Sequence, residues 1–298
     1  MNVIAAFGLL ILSSLMAFPA FADDSAQSKA GDDHVVTIGS ADFPESQLLA
    51  TIYAKALEAK GVKTEAKLSI GSREVYMPAL LDGSIDLIPE YSGSILSYLD
   101  RNARAQSAQE VTDALKKALP AGISMLTPSP AQDVDTLVVT SATASKYGLK
   151  SIPDLKNVAA DLVAGASPEW RGRWEGMVGL KEVYDLKFKS FRPLDVTGPL
   201  TLSALLHGQI DVANLTSTNP ALARNKLVSL EDPKNLFPAQ NIVPIFATQK
   251  IDEKVSAILD AVSAAMTTED LVEMNGRLAN HDDIGAIAAD WLTAHKLN

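Results

Sequence analysis

The sequence predicts an α/β fold built as two similar lobes, and three observations carry that expectation. Short apolar runs alternate with helical patterns along the chain, the arrangement of βα units around mainly parallel sheets. Two segments repeat one another: residues 79–86 read ALLDGSID and residues 204–211 read ALLHGQID. The chain is also long enough for two cores, at 298 residues of which 47% are hydrophobic. That share is too high for a disordered protein.

In chain order, Val3–Leu12 and Leu15–Phe21 are apolar, and Ala20-Phe21-Ala22 offers the small-x-small pattern of a cleavage site. Residues 1–22 therefore read as a secretory signal peptide with an apolar core too short to span a bilayer comfortably, a retained membrane anchor being the alternative reading. Its n-region carries no Lys or Arg. Residues 23–33 are polar and read as a flexible linker. His34–Gly39 reads as a strand. Glu45–Lys60 is a helix with Leu48, Leu49, Ile52, Tyr53 and Ala56 on one face, stopped by Gly61. Lys63–Ile70 is a second strand, Arg73–Leu81 a short helix and Ile85–Ile88 a third strand. Further helices are expected at Ala108–Leu119, part of Glu175–Tyr184, Leu200–His207, Asp252–Met266 and Glu269–Ala279. Further strands are expected at Thr136–Thr140, Leu186–Phe191, Ile210–Leu215 and Asn241–Ala247.

The repeat ties these elements to function. Each copy reads as a helix end, a glycine suited to a left-handed C-cap, and a buried strand opening with Ile-Asp. Each strand then runs into a hydroxyl-rich loop, Tyr91-Ser92-Gly93-Ser94 in one copy and Thr216-Ser217-Thr218-Asn219 in the other. Ligands of open α/β sheets sit beyond the carboxyl ends of strands. Two such units imply two lobes facing each other, with both loops lining the cleft.

Composition narrows the function classes. The net charge of −10 repels phosphate backbones, and no Lys/Arg cluster interrupts it, so nucleic acid is not an expected partner. The absence of cysteine removes disulfides, thiolate zinc sites, Cys nucleophiles and a lipid-bearing N-terminal Cys. With a signal and no lipid anchor, the periplasm is the expected compartment. No nucleophile elbow, P-loop or dinucleotide fingerprint is present. The four histidines, His34, His207, His281 and His295, are scattered. His207 suits a helix C-terminus, and Asp282-Asp283 with His281 could cap the final helix or touch a cation. No cofactor or metal is expected, and an enzyme is the weaker hypothesis.

Six motifs, in order over residues 35–298, resemble one family. They are Ile38-Gly39-Ser40 with Asp42-Phe43-Pro44-Glu45; Gly71-Ser72-Arg73-Glu74-Val75 with Pro78-Ala79-Leu80; and Gly83-Ser84-Ile85-Asp86-Leu87-Ile88-Pro89-Glu90-Tyr91-Ser92-Gly93. Ser167-Pro168-Glu169-Trp170 with Arg173, Gly208-Gln209-Ile210-Asp211-Val212-Ala213, and Ser217-Thr218 complete the set. The chain resembles the periplasmic substrate-binding proteins of osmoprotectant ABC importers, which bind glycine betaine, choline, carnitine and related trimethylammonium solutes. The resemblance implies a type II two-lobed periplasmic-binding-protein fold with two crossover hinge strands, placed near Asp135–Thr140 and Asn241–Ala247. Lobe 1 is then 34–135 plus 245–298, and lobe 2 is 136–244. Solute binding closes the lobes, and the closed, monomeric form docks on an ABC permease in the inner membrane.

The site departs from the family pattern. Relatives hold the trimethylammonium head in a box of aromatic rings, whose faces attract a cation that cannot donate hydrogen bonds. Tyr91 matches one ring; the others fall at Thr216, at Asp135 and near Leu202, and no Phe, Tyr or Trp lies between Phe191 and Phe237. At about 0.5–2 kcal/mol per cation–π contact, three missing rings cost roughly 1.5–6 kcal/mol, or 10-fold to over 10⁴-fold in affinity. Two replacements are open. Trp170, Trp174 and Phe43 could wall the cleft, or Asp133 or Asp135 could supply a carboxylate, which favours an ammonium bearing N–H donors. Arg173 matches the family Arg that grips the solute carboxylate. Ser46, Ser92, Ser94, Thr216 and Thr218 are candidate polar contacts.

Each of these residues also has a purely structural reading. Tyr91 could pack at a strand end, and Arg173 could pair with Glu169 or Glu175. Asp133 and Asp135 could be loop or cap residues, Trp170 and Trp174 could share the second lobe's core, and the hydroxyls could cap helices. The leading expectation is a binding protein delivering a small zwitterionic or polar, osmolyte-like solute to the permease. A solute sensor feeding a membrane receptor, or an enzyme on the same fold, is the alternative.

Overall fold

The computed structural model describes residues 34–298. The signal peptide and the linker expected over residues 1–33 lie outside the described residues.

Chain order builds the first lobe from β1 (Val36–Gly39), α1 (Pro44–Ala59), β2 (Thr64–Lys67), α2 (Arg73–Leu81), β3 (Leu87–Tyr91), α3 (Ser92–Leu99), α4 (Ala108–Ala118) and β4 (Ile123–Met125). The chain then crosses to β5 (Asp135–Val139), α5 (Ser141–Tyr147), β6 (Val163–Ala166), α6 (Gly179–Tyr184), β7 (Ser190–Pro193), α7 (Pro199–Leu206), β8 (Val212–Thr216), α8 (Ala221–Arg224) and β9 (Val228–Ser229). It returns through β10 (Ile242–Ala247) to α9 (Glu253–Ala265), α10 (Thr268–Ala279) and α11 (Ile284–Ala294). The sheet orders are β2-β1-β3-β10-β4 and β7-β6-β8-β5-β9. In each, three strands are parallel and the strand that follows the crossover lies antiparallel beside the third.

The internal repeat folds as one unit used twice. Gly83 and Gly208 follow α2 and α7 at φ +80° and +67°, the left-handed conformation that glycine adopts without a Cβ penalty. The amides of Ile85 and Ile210 then return to the carbonyls of Ala79 and Ala204. Asp86 Oδ2 accepts the Thr37 amide at 2.9 Å, and Asp211 Oδ2 accepts the Val163 amide at 2.8 Å. Ile-Asp is thus the joint before the strand: β3 and β8 start two residues later than the apolar runs suggest, because the aspartates use their side chains to stitch in the neighbouring strand.

Each sheet is covered on both faces, as parallel strands require. In lobe 1 a core of Leu48, Leu49, Ile52, Tyr53, Leu259, Leu271, Ile287 and Trp291 joins α1 to α9, α10 and α11. The opposite face buries Met77, Leu80, Ile88, Ile95, Leu115 and Ile245. In lobe 2, Leu137, Ile152, Leu155, Trp170, Leu180 and Tyr184 fill one face, and Val138, Ala204, Leu205, Ile210 and Leu215 the other.

Three local readings are corrected. Residues 92–94 are the first turn of α3, not a loop. The strand expected at Leu186–Phe191 lies at Ser190–Pro193, because Leu186 is buried in the core at the end of α6 while the register with β6 begins at Ser190. Residues 242–244 pair with β3 in the first sheet, and Asp135 pairs with Thr216 in the second. The lobe exchange therefore occupies the segments just before β5 and β10. These segments touch through a bridge between Gln132 and Asn241 and a bond from the Asp133 amide to the Gln240 carbonyl.

Candidate functional site

The site grows from the start of α1. Phe43 is extended at its N-cap, Pro44 occupies the first turn, and Glu45 follows, only 5% exposed. Proline there gives up an amide that has no helical partner, and a carboxylate near the N-terminus is favoured by the helix dipole. Glu45 stands three and four residues before Leu48 and Leu49, on the apolar stripe, so folding buries it.

Its partners come from three other elements. The Tyr91 hydroxyl, at the end of β3, donates to Glu45 Oε1 at 2.7 Å. Asn275, on α10, donates to Glu45 Oε2. Thr218, in the loop after β8 of the other lobe, has Oγ1 2.9 Å from Glu45 Oε2 and 2.6 Å from Asp133 Oδ1. The Thr218 amide donates to the same Asp133 oxygen at 3.0 Å. Glu45, Asp133 and Thr218 are all nine-tenths or more buried. Burial first, and Glu45 second, push the Asp133 carboxyl well above its ordinary range. Burial likewise raises the Tyr91 phenol, with the Glu45 charge adding to it.

A cavity of about 430 Å³ opens onto this cluster between the lobes. Lobe 1 contributes Phe43, Glu45, Asn275 and Leu278; the far wall holds Val196, Pro199, Leu202, Thr216, Pro220 and Arg224, with Asp133 at the crossover. Among the described residues Phe43 is the one Phe, Tyr or Trp ring lining it, beside the His281 imidazole, with Tyr91 behind at a ring separation of 5.9 Å. Where the resemblance places two further rings, the wall carries Thr216 and Leu202.

Of the sequence-predicted residues, Phe43, Asp133 and Thr216 line the cavity, and Tyr91 and Thr218 support its acidic end. The rest are placed elsewhere. The Ser46 hydroxyl accepts the Ala41 amide and secures the turn before α1. Ser92 and Ser94 hold the second crossover: Ser92 Oγ accepts the Asn241 amide, and Ser94 Oγ accepts from Gln240. Asp135 accepts from Asn214 at 2.8 Å within the second sheet, and burial pushes its carboxyl up to about 6. Trp170 is 4% exposed in the lobe 2 core, because the short helical turn from Pro168 aims it inward. Trp174 lies under Arg104, 3.6 Å from guanidinium to ring centre. Arg173 pairs with neither Glu169 nor Glu175 but reaches across the lobes to Glu74 at 3.2 Å. Asp283 does cap α11, accepting from the Ala286 amide.

A second buried network stands behind the cleft. Glu90 accepts two bonds from Arg73, at 2.7 and 2.8 Å, and one from Tyr76 at 2.7 Å. This satisfied ion pair fixes the start of α2 to β3. Among the described residues no group of His, Cys, Asp and Glu is placed to hold a metal, and no helix is long and apolar enough to cross a membrane.

Sequence reasoning missed Glu45, Asn275 and Arg224 as site residues. The signal for the first two was present: each is a polar residue on an otherwise apolar helix face, Glu45 beside Leu48 and Leu49, Asn275 between Leu271 and Leu278.

A ligand-sized cavity walled by two lobes joined through paired crossovers defines a two-lobed solute-binding protein of the type II architecture. The chain belongs to the family of substrate-binding domains of ABC-type glycine betaine transport systems, whose model matches residues 34–294. It is 26% identical over 280 residues to the carnitine transport binding protein OpuCC of Listeria monocytogenes, covering 91% of this chain and 89% of that protein. It is 27% identical over 272 residues to the glycine betaine-binding protein YehZ of Escherichia coli strain K12, covering 86% and 89%. The fold matches a crystal structure described as a glycine betaine/carnitine/choline ABC transporter, at a TM-score of 0.69 and 22% identity over 88% of this chain and 99% of that one. It also matches lactococcal OpuAC, closed and complexed with glycine betaine, at a TM-score of 0.62 and 18% identity over 89% and 97%.

Proposed function

We propose that this protein is the extracytoplasmic solute receptor of an ABC importer, taking a small zwitterionic or polar, osmolyte-like solute into the interlobe cavity and handing it to the permease. The observation that carries the reading is the cavity itself, lined from both lobes and sealed at its acidic end by Thr218 of one lobe on Glu45 of the other. A solute filling that space contacts both walls at once, so binding and closure stabilise each other. The family supports the transport role, and the relatives' ligands, carnitine and glycine betaine, set the size class. The signal-like residues 1–22 support export to the periplasm, where a binding protein meets the solute before the inner-membrane permease does. It acts as a monomer and as a carrier rather than an enzyme.

Thermal denaturation with excess glycine betaine, carnitine, choline and a panel of small zwitterions tests this. A ligand at 100 times its dissociation constant adds about 2.7 kcal/mol, a rise in Tm of several degrees. No shift with any of them, and no compaction in small-angle scattering, overturns the reading.

A further inference from the structure

Resting on the proposed cavity, we infer that Glu45, Thr218 and Asp133 form a subsite for an ammonium group that carries at least one N–H, and that this cluster selects against a fully methylated nitrogen. Thr218 Oγ1 sits between two carboxylate oxygens at 2.9 and 2.6 Å, yet its hydroxyl has a single hydrogen to donate. Tyr91 and Asn275 supply neutral donors to Glu45. Among the described residues, no Lys, Arg or His nitrogen forms an ion pair with either carboxylate. Two buried acids without a cationic partner require a bound proton or a bound cation. Both line the cavity, so a ligand reaches them directly.

The chemistry of the wall decides which cation. An N–H donor approaches a carboxylate oxygen to about 2.7–2.9 Å in a charge-assisted bond. A methyl carbon comes no closer than about 3.3–3.6 Å, which holds a quaternary nitrogen further away and leaves the second carboxylate without a hydrogen. Ring faces compensate a quaternary ammonium for that loss, but among the described residues Phe43 is the one Phe, Tyr or Trp lining this cavity. The Arg224 guanidinium, which gives one bond to the Gly276 carbonyl at 3.2 Å and one to Asn280 at 3.3 Å, faces the same space and complements a carboxylate at the ligand's other end. The subsite therefore fits an amino acid or a partly N-methylated derivative.

The test is isothermal titration calorimetry of the whole mature protein with sarcosine, N,N-dimethylglycine and glycine betaine, which share one carboxylate and differ in N–H count. Choline and carnitine serve as further quaternary arms. The expected result is that sarcosine and dimethylglycine bind about tenfold or more tighter than glycine betaine. Asp133→Asn is expected to shrink that advantage while leaving the ligand-free Tm unchanged or raised. Glycine betaine binding as tightly as dimethylglycine, or tighter, overturns the inference. Binding of the quaternary compounds alone also overturns it and leaves the cavity reading standing. Binding by none of the five overturns the inference, and the cavity reading falls with it when the wider zwitterion panel also gives no shift and no compaction.

Discussion

Asp135 shows how burial within the second sheet turns into a measurable pH dependence. Desolvation raises its carboxyl from 3.8 to about 6, against the bond from Asn214, which lowers it; the Glu175 charge adds to the rise, and Arg173 and Arg73 oppose it. Between those two values the folded protein holds a proton that the unfolded chain has released, so this residue's contribution to stability falls as pH rises. Below about 3.8 both states are protonated and the penalty is absent; above about 6 it is complete. Thermal melts of Asp135→Asn and wild type from pH 4 to 7.5 should show the variant gaining on wild type up to about pH 6 and then running parallel. A constant difference across the range would mean that the carboxyl titrates normally. Glu45 belongs to the same scale: an acid on an apolar helix face costs stability unless its neighbours were selected to receive it, and Tyr91, Asn275 and Thr218 do so.

At the scale of elements, the repeat explains why the two hydroxyl segments reach the lobe junction. A helix, a left-handed glycine and an Ile-Asp joint deliver β3 and β8 to equivalent positions in the two sheets. Beyond the strands the two copies diverge. After β3 the chain enters α3 at once, and Ser92 and Ser94 turn to the second crossover; after β8 a loop carries Thr218 into the cavity's acidic end. Gly93 lies where α3 meets that crossover, and a Cβ there would stand 2.6 Å from Pro238 Cγ and 2.7 Å from the Ala239 carbonyl. The carbonyl is backbone and cannot swing aside, so Gly93→Ala should cost about 1–3 kcal/mol. Differential scanning calorimetry should record a Tm lower by several degrees; an unchanged Tm would show that the crossover yields freely.

At the scale of the whole molecule, lobe closure is held by a few contacts of unequal worth. Thr218 with Glu45 is buried, and Arg224 reaches the Gly276 carbonyl at 3.2 Å. The Glu74–Arg173 pair, with side chains 47% and 24% exposed, belongs to the class of surface ion pairs worth about 0–1 kcal/mol. Arg173→Ala should therefore weaken solute binding by about fivefold or less, and high salt should mimic it. Calorimetry of the variant discriminates sharply, because loss of a buried guanidinium that grips the solute carboxylate costs about 3–5 kcal/mol, roughly a hundredfold or more. A loss of that size would return Arg173 to the ligand.

The two-lobed α/β architecture, the repeated helix–strand joint, an acidic cap for the last helix and the shortage of aromatic rings around the cavity are all legible in the chain alone. These are properties of composition and short-range pattern: a left-handed glycine, an apolar stripe or a missing Tyr is visible within a few residues. Which polar groups meet depends on long-range packing. Thr218 lies 173 residues from Glu45 along the chain, and Asn275 lies 230 from it, so no local pattern could pair them. It also decided that Trp170 faces a core, that Ser92 and Ser94 hold a crossover, and that Arg173 spans the lobes to Glu74. Each outcome depends on the relative placement of two sheets, which long-range packing and the docking of one lobe against the other establish.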